Sequence, residues 1–354
     1  MVDVENSGLA HVPLTCVLLG IAIRDDISDA GRFELSGHVT VGLALAATAL
    51  TLQGSAAATV RTTVYARGPA HGAAFALDPQ GRLWVAAAGL NTRRGDGVYV
   101  VRRAGGRAVR VIAGLVTPLG LAWRKGTLYV ASMGRVDAFS AFDGHRFTHH
   151  RLVLRGPIAR GLNGGLVFRR DGTLLMGVTA SCDHCTPTSR FSGSIVSFHA
   201  DGSDLRVFAR RVRAAFGLAI APSTGALLAT MNQRDDLGAR TPGDWVGKVT
   251  AGSDWGFPAC WGQGGRVCVG VAKPVAVLDP HAAAGGLAFV DGGREAVVAE
   301  WQTGKVLLIQ LADGRLASLA LHIVNPLAVL AIGAQTVLVS DWKTGRIYRL
   351  TNVS

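Results

Sequence analysis

One element, written six times, limits what this chain can become. It consists of small residues, an apolar run, a polar turn that often holds Asp-Gly, and a second apolar run. It stands as "GAAFALDPQGRLWVAAAG" from Gly72, "LGLAWRKGTLYVASMG" from Leu119 and "GGLVFRRDGTLLMGV" from Gly164. It returns as "FGLAIAPSTGALLATMN" from Phe216, "GGLAFVDGGREAVVAEW" from Gly285 and "LAVLAIGAQTVLVSDW" from Leu327. Most copies are followed by a third run such as "GVYVVRR", "GSIVSFH", "GKVLLIQL" or "GRIYRL". Apolar runs this short, joined by brief polar turns, are hairpins rather than helices. A meander repeated every ~40 to 50 residues leaves each unit with a face it cannot bury, so the units must close into a ring. The expected fold is therefore all-β, a six-bladed β-propeller with blades of about four antiparallel strands. A β-sandwich does not account for the recurrence. The last copy stops at Leu350 with three strands, and "TVRTTVYA" (Thr59 to Ala66) is expected to supply the fourth. That strand closes the ring and removes its exposed edges. The fourth copy carries the longest insertion, residues 232–284, and long insertions in repeat folds usually lie on the binding face.

Composition agrees with tightly packed strands: 49% hydrophobic residues, 6% aromatic and 46 glycines. The net charge is +12, but the arginines come as short pairs, Arg93-Arg94, Arg102-Arg103, Arg169-Arg170 and Arg210-Arg211, spread along the chain. A nucleic-acid binder gathers its cations on one helix or stripe with stacking aromatics between them. The reading is no nucleic-acid partner, and at most peripheral association of a basic surface with an anionic envelope. Residues 1–58 do not belong to the repeat. "VTVGLALAATALTLQGSAAA" is an apolar core ending in small residues, the pattern of a secretory leader, and is short for a membrane span. The preceding "IRDDISDAGRFE" carries acids along with its bases, four against two, which is unusual for a leader, and a retained amphipathic anchor is the alternative. The expectation is export to the periplasm or medium, with residues 59–354 as one propeller domain. Beyond Cys16, the four cysteines then read as two local disulfides, Cys182–Cys185 and Cys260–Cys268. With His184, the first pair also resembles half a zinc site, but no second C-x-x-C completes it. A redox role needs the pair at a helix start.

Several longer words carry a resemblance. "DGSDLRVFARRVRAAFGLAIAPSTGALLATMNQRDDLG", "PGDWVGKVTAGSDWGFPAC", "HAAAGGLAF" and "VSDWKTGRIYRL" follow one another in the order seen in the glucose/sorbosone dehydrogenase family. The chain resembles that family from Gly161 to Leu350, and "SCDHC" resembles its sorbosone branch. The resemblance implies a propeller that uses pyrroloquinoline quinone (PQQ) and calcium to oxidise a small sugar or aldehyde. There, cations grip the quinone's carboxylates, oxygen donors hold the calcium, and a histidine takes the hydroxyl proton. Carried over, the resemblance makes Arg213, Gln233 and Asp244 cofactor contacts, and Asp235 and Asp236 calcium donors.

The departures fall on the same positions. The stretch "GLNGGLVFRRDGTLLMGV" begins with Gly161, or with Leu162 if one residue is deleted, where the family has its base. Neither residue accepts a proton, and losing a general base forfeits about two to four powers of ten in rate. Ala214 replaces an asparagine, Gln233 a glutamate and Asn325 an arginine. His281 and His71 each precede an inner strand and are the candidate substitute bases; each also reads as an ordinary strand-edge histidine. Asp235 and Asp236 can equally cap a turn, and Arg213 can be a structural ion-pair partner. Trp255, Trp261 and Trp301 read as a sugar platform or as packing. Three functions follow: an exported PQQ-dependent sugar or aldehyde dehydrogenase-like protein whose base is replaced, a non-catalytic carbohydrate- or protein-binding propeller, and a calcium-dependent lactonase.

Overall fold

The computed structural model describes residues 59–89, 95–155, 162–187, 189–262, 264–319 and 323–354. They form six four-stranded antiparallel sheets. Strand β1 (Arg61–Arg67) opens the chain. Blade one holds β2 (Gly72–Leu77), β3 (Leu83–Ala87), β4 (Gly97–Val101) and β5 (Val109–Ile112). Blade two holds β6 (Gly120–Arg124), β7 (Thr127–Ser132), β8 (Arg135–Phe142) and β9 (Phe147–Arg155). Blade three holds β10 (Asn163–Phe168), β11 (Leu174–Val178), β12 (Ser194–Phe198) and β13 (Arg206–Arg210). Blade four holds β14 (Leu218–Ile220), β15 (Leu227–Met231), β16 (Gly243–Val249) and β17 (Ala276–Pro280). Blade five holds β18 (Ala284–Val290), β19 (Glu295–Glu300), β20 (Lys305–Gln310) and β21 (Leu316–Ser318). Blade six holds β22 (Pro326–Gly333), β23 (Thr336–Asp341) and β24 (Arg346–Thr351), and β1 pairs with β24 as its outer strand. The ring closes as the repeat requires. Among the described residues, no helix is long and apolar enough to cross a membrane.

The core is divided among the seams. Six clusters of buried apolar side chains each draw on two adjacent blades. Between blades one and two, Trp84 stacks on Trp123 at 5.4 Å and meets Phe142 edge-on at 4.9 Å. No blade therefore owns a core of its own, and burial is gained only by assembling neighbours.

Near the axis the seams are also stapled by hydrogen bonds. Thr230 Oγ1 accepts from its own blade's Gly217 N (2.8 Å) and donates to the next blade's Gly285 O (2.9 Å). Ser340 repeats the device, accepting from Ala328 N and donating to Gly72 O, both at 2.8 Å. A second staple uses aspartate. Asp96 accepts from Gly89 N and, across the seam, Thr117 N, both at 2.7 Å. Asp244 does the same one half-turn of the ring later, as described below. At the seam of blades three and four the backbones touch. A Cβ on Gly177 would stand 2.0 Å from the Ala215 carbonyl oxygen, so that position admits glycine alone.

The expected insertion at 232–284 is two loops, since β16 and β17 lie inside it. Residues 232–242 stay at the end of the channel where the inner strands begin. Residues 252–255 run beside β13, with Gly252 N bonded to Phe208 O (2.7 Å) and Arg210 N to Ser253 O (3.0 Å). Both disulfides, Cys182–Cys185 and Cys260–Cys268, are formed.

Thr230→Val keeps the volume but removes both bonds of a buried staple. The expected cost is about 1–3 kcal/mol, read from the shift in urea midpoint. Gly177→Ala should cost more, because its clash is with backbone rather than with a movable side chain.

Candidate functional site

The six inner strands line an axial channel of about 430 Å³. Phe75, Leu121, Val167, Leu218, Phe289 and Val329 form its wall, and among the described residues no charged side chain lines it. Polar chemistry is therefore confined to the channel's ends. The residues carried over from the resemblance gather at one end, where the inner strands begin.

Arg213 links β13 to β14 and is the hub. Its Nε donates to the Asp183 carbonyl (3.1 Å), its Nη2 to the Asp183 carboxylate, and Asp235 Oδ2 lies 3.5 Å from Nη2. Asp183 also accepts from Asp235 N (3.0 Å) and Asp236 N (3.2 Å). One carboxylate thus ties the Cys182–Cys185 loop, Arg213 and the start of the 232–242 loop together. Sequence reasoning passed over Asp183; its one signal is that it is the acid inside the disulfide-closed loop.

Asp235 in turn faces His281, Oδ1 to Nδ1 at 3.2 Å, while His281 Nε2 lies 3.3 Å from Gly238 O. Carboxylate and carbonyl are both acceptors, so the two contacts are served together only by a ring with hydrogen on each nitrogen. His281 sits in the left-handed region at φ 54°, as does His71 at 66°. His71 lies apart from the cluster. Its ring packs on Trp342 at 4.2 Å, its N donates to Trp342 O (2.7 Å), and it shares no hydrogen bond or ion pair with Arg213, Asp235 or His281. Gly161 lies outside the described residues. Leu162 is paired with Thr179, N to Oγ1 and O to N, both at 3.0 Å, and Ala180 N bonds to Arg213 O at 2.6 Å. Leu162 and Arg213 are thus neighbours at the mouth, and Leu162 contributes no proton acceptor from its side chain.

The remaining positions are committed to structure. Arg234 forks onto Asp236 at 2.7 and 2.6 Å and lies 5.0 Å over the Trp261 ring. That fork holds the Asp236 carboxyl well below its usual range. Gln233 is buried, with Nε2 turned to Met231 O at 3.4 Å. Trp255 is core, its ring seated where a Cβ on Gly247 would be. Trp301 packs edge-on against Trp342 at 5.4 Å. Asn325 donates its side-chain N–H to Trp301 O at 3.0 Å.

Asp244 is a staple like Asp96. Its oxygens accept from Gln233 N (2.7 Å), Ala284 N (2.9 Å) and Asn232 Nδ2 (3.1 Å), joining the 232–242 loop to the first residue of blade five's inner strand. It is 2% exposed, and burial pushes its carboxyl up to about 6 against the pull of the Ala284 and Gln233 N–H groups.

These residues do not fit a quinone–calcium centre. The cation meant for a cofactor carboxylate is already held by Asp183, and the carboxylates meant for a metal, Asp235 and Asp236, are spent on Arg213, His281 and Arg234. Among the described residues, no three His, Cys, Asp or Glu side chains are grouped to hold an ion.

No protein-family model and no curated protein matches the chain. Solved structures do match its fold. The PQQ-bound aldose sugar dehydrogenase of Streptomyces coelicolor superposes with a TM-score of 0.70 at 20% identity, over 83% of this chain and 98% of that one. The calcium structure of a Trichoderma reesei carbohydrate-active enzyme of family AA12 gives 0.66 at 17%, over 84% and 96%. The apo soluble aldose sugar dehydrogenase of Escherichia coli gives 0.65 at 15%, over 83% and 100%. At these identities, what is shared is the propeller.

Asp244 makes stability depend on pH in a stated direction. Folding raises its pKa from 3.8 to about 6, so between those values the folded chain binds more protons than the unfolded one. Its contribution therefore falls as pH rises through that window, by on the order of 3 kcal/mol in all, and levels off above about 6. Urea midpoints of the parent and Asp244→Asn, compared from pH 4 to 7, should converge or cross as pH rises, the parent losing ground. A constant gap would show that Asp244 is not the group titrating.

Proposed function

We propose that this chain is an exported propeller of the glucose/sorbosone dehydrogenase type that binds a small sugar or its aldehyde at the channel mouth, with the quinone position held shut by Asp183. The carrying observation is the chain Asp183–Arg213–Asp235–His281, which brings carboxylates, a guanidinium and an imidazole from adjoining blades to one rim. Such groups donate to and accept from the hydroxyls of a polyol, and Trp261 beneath Arg234 adds an aromatic face beside them. The ordered sequence words and the aldose sugar dehydrogenases among the fold neighbours support the ligand class; "SCDHC" supports the sorbosone side of it. The two disulfides support export.

In this reading His281 and Asp235 are the pair that contacts the ligand's hydroxyl. Asp235 orients the ring, and a ligand oxygen replaces Gly238 O as the partner of Nε2. Arg213 serves first to hold Asp183 in place. PQQ and calcium, implied by the resemblance, require Asp183 to leave Arg213.

The test is calorimetric and spectroscopic on the full chain. Aldoses and sorbosone should bind without added cofactor, and His281→Ala should weaken that binding about tenfold, the worth of about one charge-assisted hydrogen bond. PQQ with calcium should give no stoichiometric change in quinone absorbance in the parent. Stoichiometric quinone uptake, followed by reduction of an artificial acceptor on adding an aldose, would overturn the closed-mouth reading in favour of a loaded dehydrogenase. Calcium-dependent lactone hydrolysis would replace both.

A further inference from the structure

The seam where the ring closes carries a second concentration of charge, on the outer strands and sharing no residue with the channel wall. There β1 is stitched to the β4–β5 hairpin of blade one: Arg67 N bonds to Gly106 O (3.1 Å), Ala108 N to Arg67 O (2.9 Å) and Gly105 N to Tyr65 O (2.8 Å). This closure sets Arg67 directly opposite Arg346 across the β1–β24 ladder and beside Arg107 across a parallel bridge. The three exposed arginines, with Gly68, Ala108, Thr344 and Gly345, surround a cavity of about 570 Å³. The glycines bring backbones together at its base, since a Cβ on Gly345 would stand 3.0 Å from the Pro69 carbonyl oxygen.

The charge here is uncompensated. Elsewhere Arg82, Arg135, Arg206, Arg210, Arg211 and Arg294 each grip an aspartate. Among the described residues, no carboxylate pairs with Arg67, Arg107 or Arg346. The three segments that build the seam, Thr59–Gly68, Arg102–Ile112 and Trp342–Ser354, hold two, four and three cations and no acid. Like charges directly opposite on a ladder are destabilising unless something neutralises them. Three guanidiniums around a polar hollow match the oxygens of one multiply charged anion, which each can meet with paired N–H groups.

We propose that the Arg67–Arg107–Arg346 pocket binds a phosphate group, either free or carried on an anionic lipid headgroup. The Thr344 hydroxyl, also in the lining, is a further donor to the bound oxygens. This inference does not rest on the reading of the channel mouth.

The experiment titrates the full chain with inorganic phosphate by calorimetry, at ionic strength matched with chloride, and follows Tm. One phosphate should bind and raise Tm. Arg107→Gln/Arg346→Gln should lower the affinity about tenfold or more, while Arg102→Gln/Arg103→Gln, which removes equal charge outside the lining, should change it less than about twofold. Arg346→Gln alone, which leaves Arg67 with no like charge opposite it, should raise Tm in phosphate-free buffer and blunt the rise on adding phosphate. Phosphatidylglycerol vesicles, set against phosphatidylcholine vesicles, separate the sources. Capture by the anionic vesicles that depends on Arg107 and Arg346 indicates a headgroup; phosphate binding without capture indicates the free ion. Phosphate no better than chloride, or equal losses in the two double variants, would overturn the site.

Discussion

Everything in this molecule depends on the ring being closed by backbone hydrogen bonds between its first strand and its last. A blade has two faces and no core of its own, and the apolar clusters exist only between neighbours. Until β1 pairs with β24, one blade keeps an open edge and the seam of blades six and one lacks part of its packing. The staples at Thr230, Ser340, Asp96 and Asp244 act at the same level. Each spends a buried side chain on a backbone group of the adjoining blade, which fixes the inner strands against one another. The channel and its mouth are consequences of that fixing.

The mouth is also a lesson in electrostatic self-sufficiency. A guanidinium beside an apolar channel needs an anion, and Asp183 supplies one from a loop pinned by its own disulfide. Asp183 then uses its second oxygen on the Asp235 and Asp236 N–H groups, so it anchors the 232–242 loop as well. A cofactor carboxylate arriving at Arg213 would compete with a partner that is tethered and only about a third exposed. The same economy runs through Asp236, held by Arg234, and Asp244, held by three N–H donors. What remains adaptable is the His281–Asp235 pair, whose contacts are longer and whose side chains are about half exposed.

The closing seam behaves in the opposite way. Its strands are paired across the β1–β24 ladder, yet among the described residues its side chains leave Arg67, Arg107 and Arg346 together without an acid. Ring closure brings the first and last strands of the propeller together, and the segments that carry them, Thr59–Gly68 and Trp342–Ser354, hold cations and no acid. The repulsion is a by-product of the topology that makes the fold possible, and an anion relieves it without altering a single strand.

The sequence by itself determined the architecture. Alternating apolar runs with turn residues, repeated six times, allow hairpins and little else, and the missing fourth strand of the last copy called for Thr59–Ala66. It also determined which segments would meet at the mouth, because Arg213, Asp235 and His281 each stand just before or after strands of known order. What it left undecided was partnership. An isolated "NQRDDLG" reads as a metal-donor segment; only folding placed Asp235 between Arg213 and His281 and gave Asp236 to Arg234. The resemblance makes Asp244 a cofactor contact; only the fold shows that its oxygens accept from the next blade's Ala284 N. Arginines that appear scattered along the chain converge at the closing seam, since contact there joins residues near 65, 107 and 346. Short-range patterns reveal strands because they depend on neighbours in sequence. Charge pairing depends on neighbours in space, and those exist only once the ring has closed.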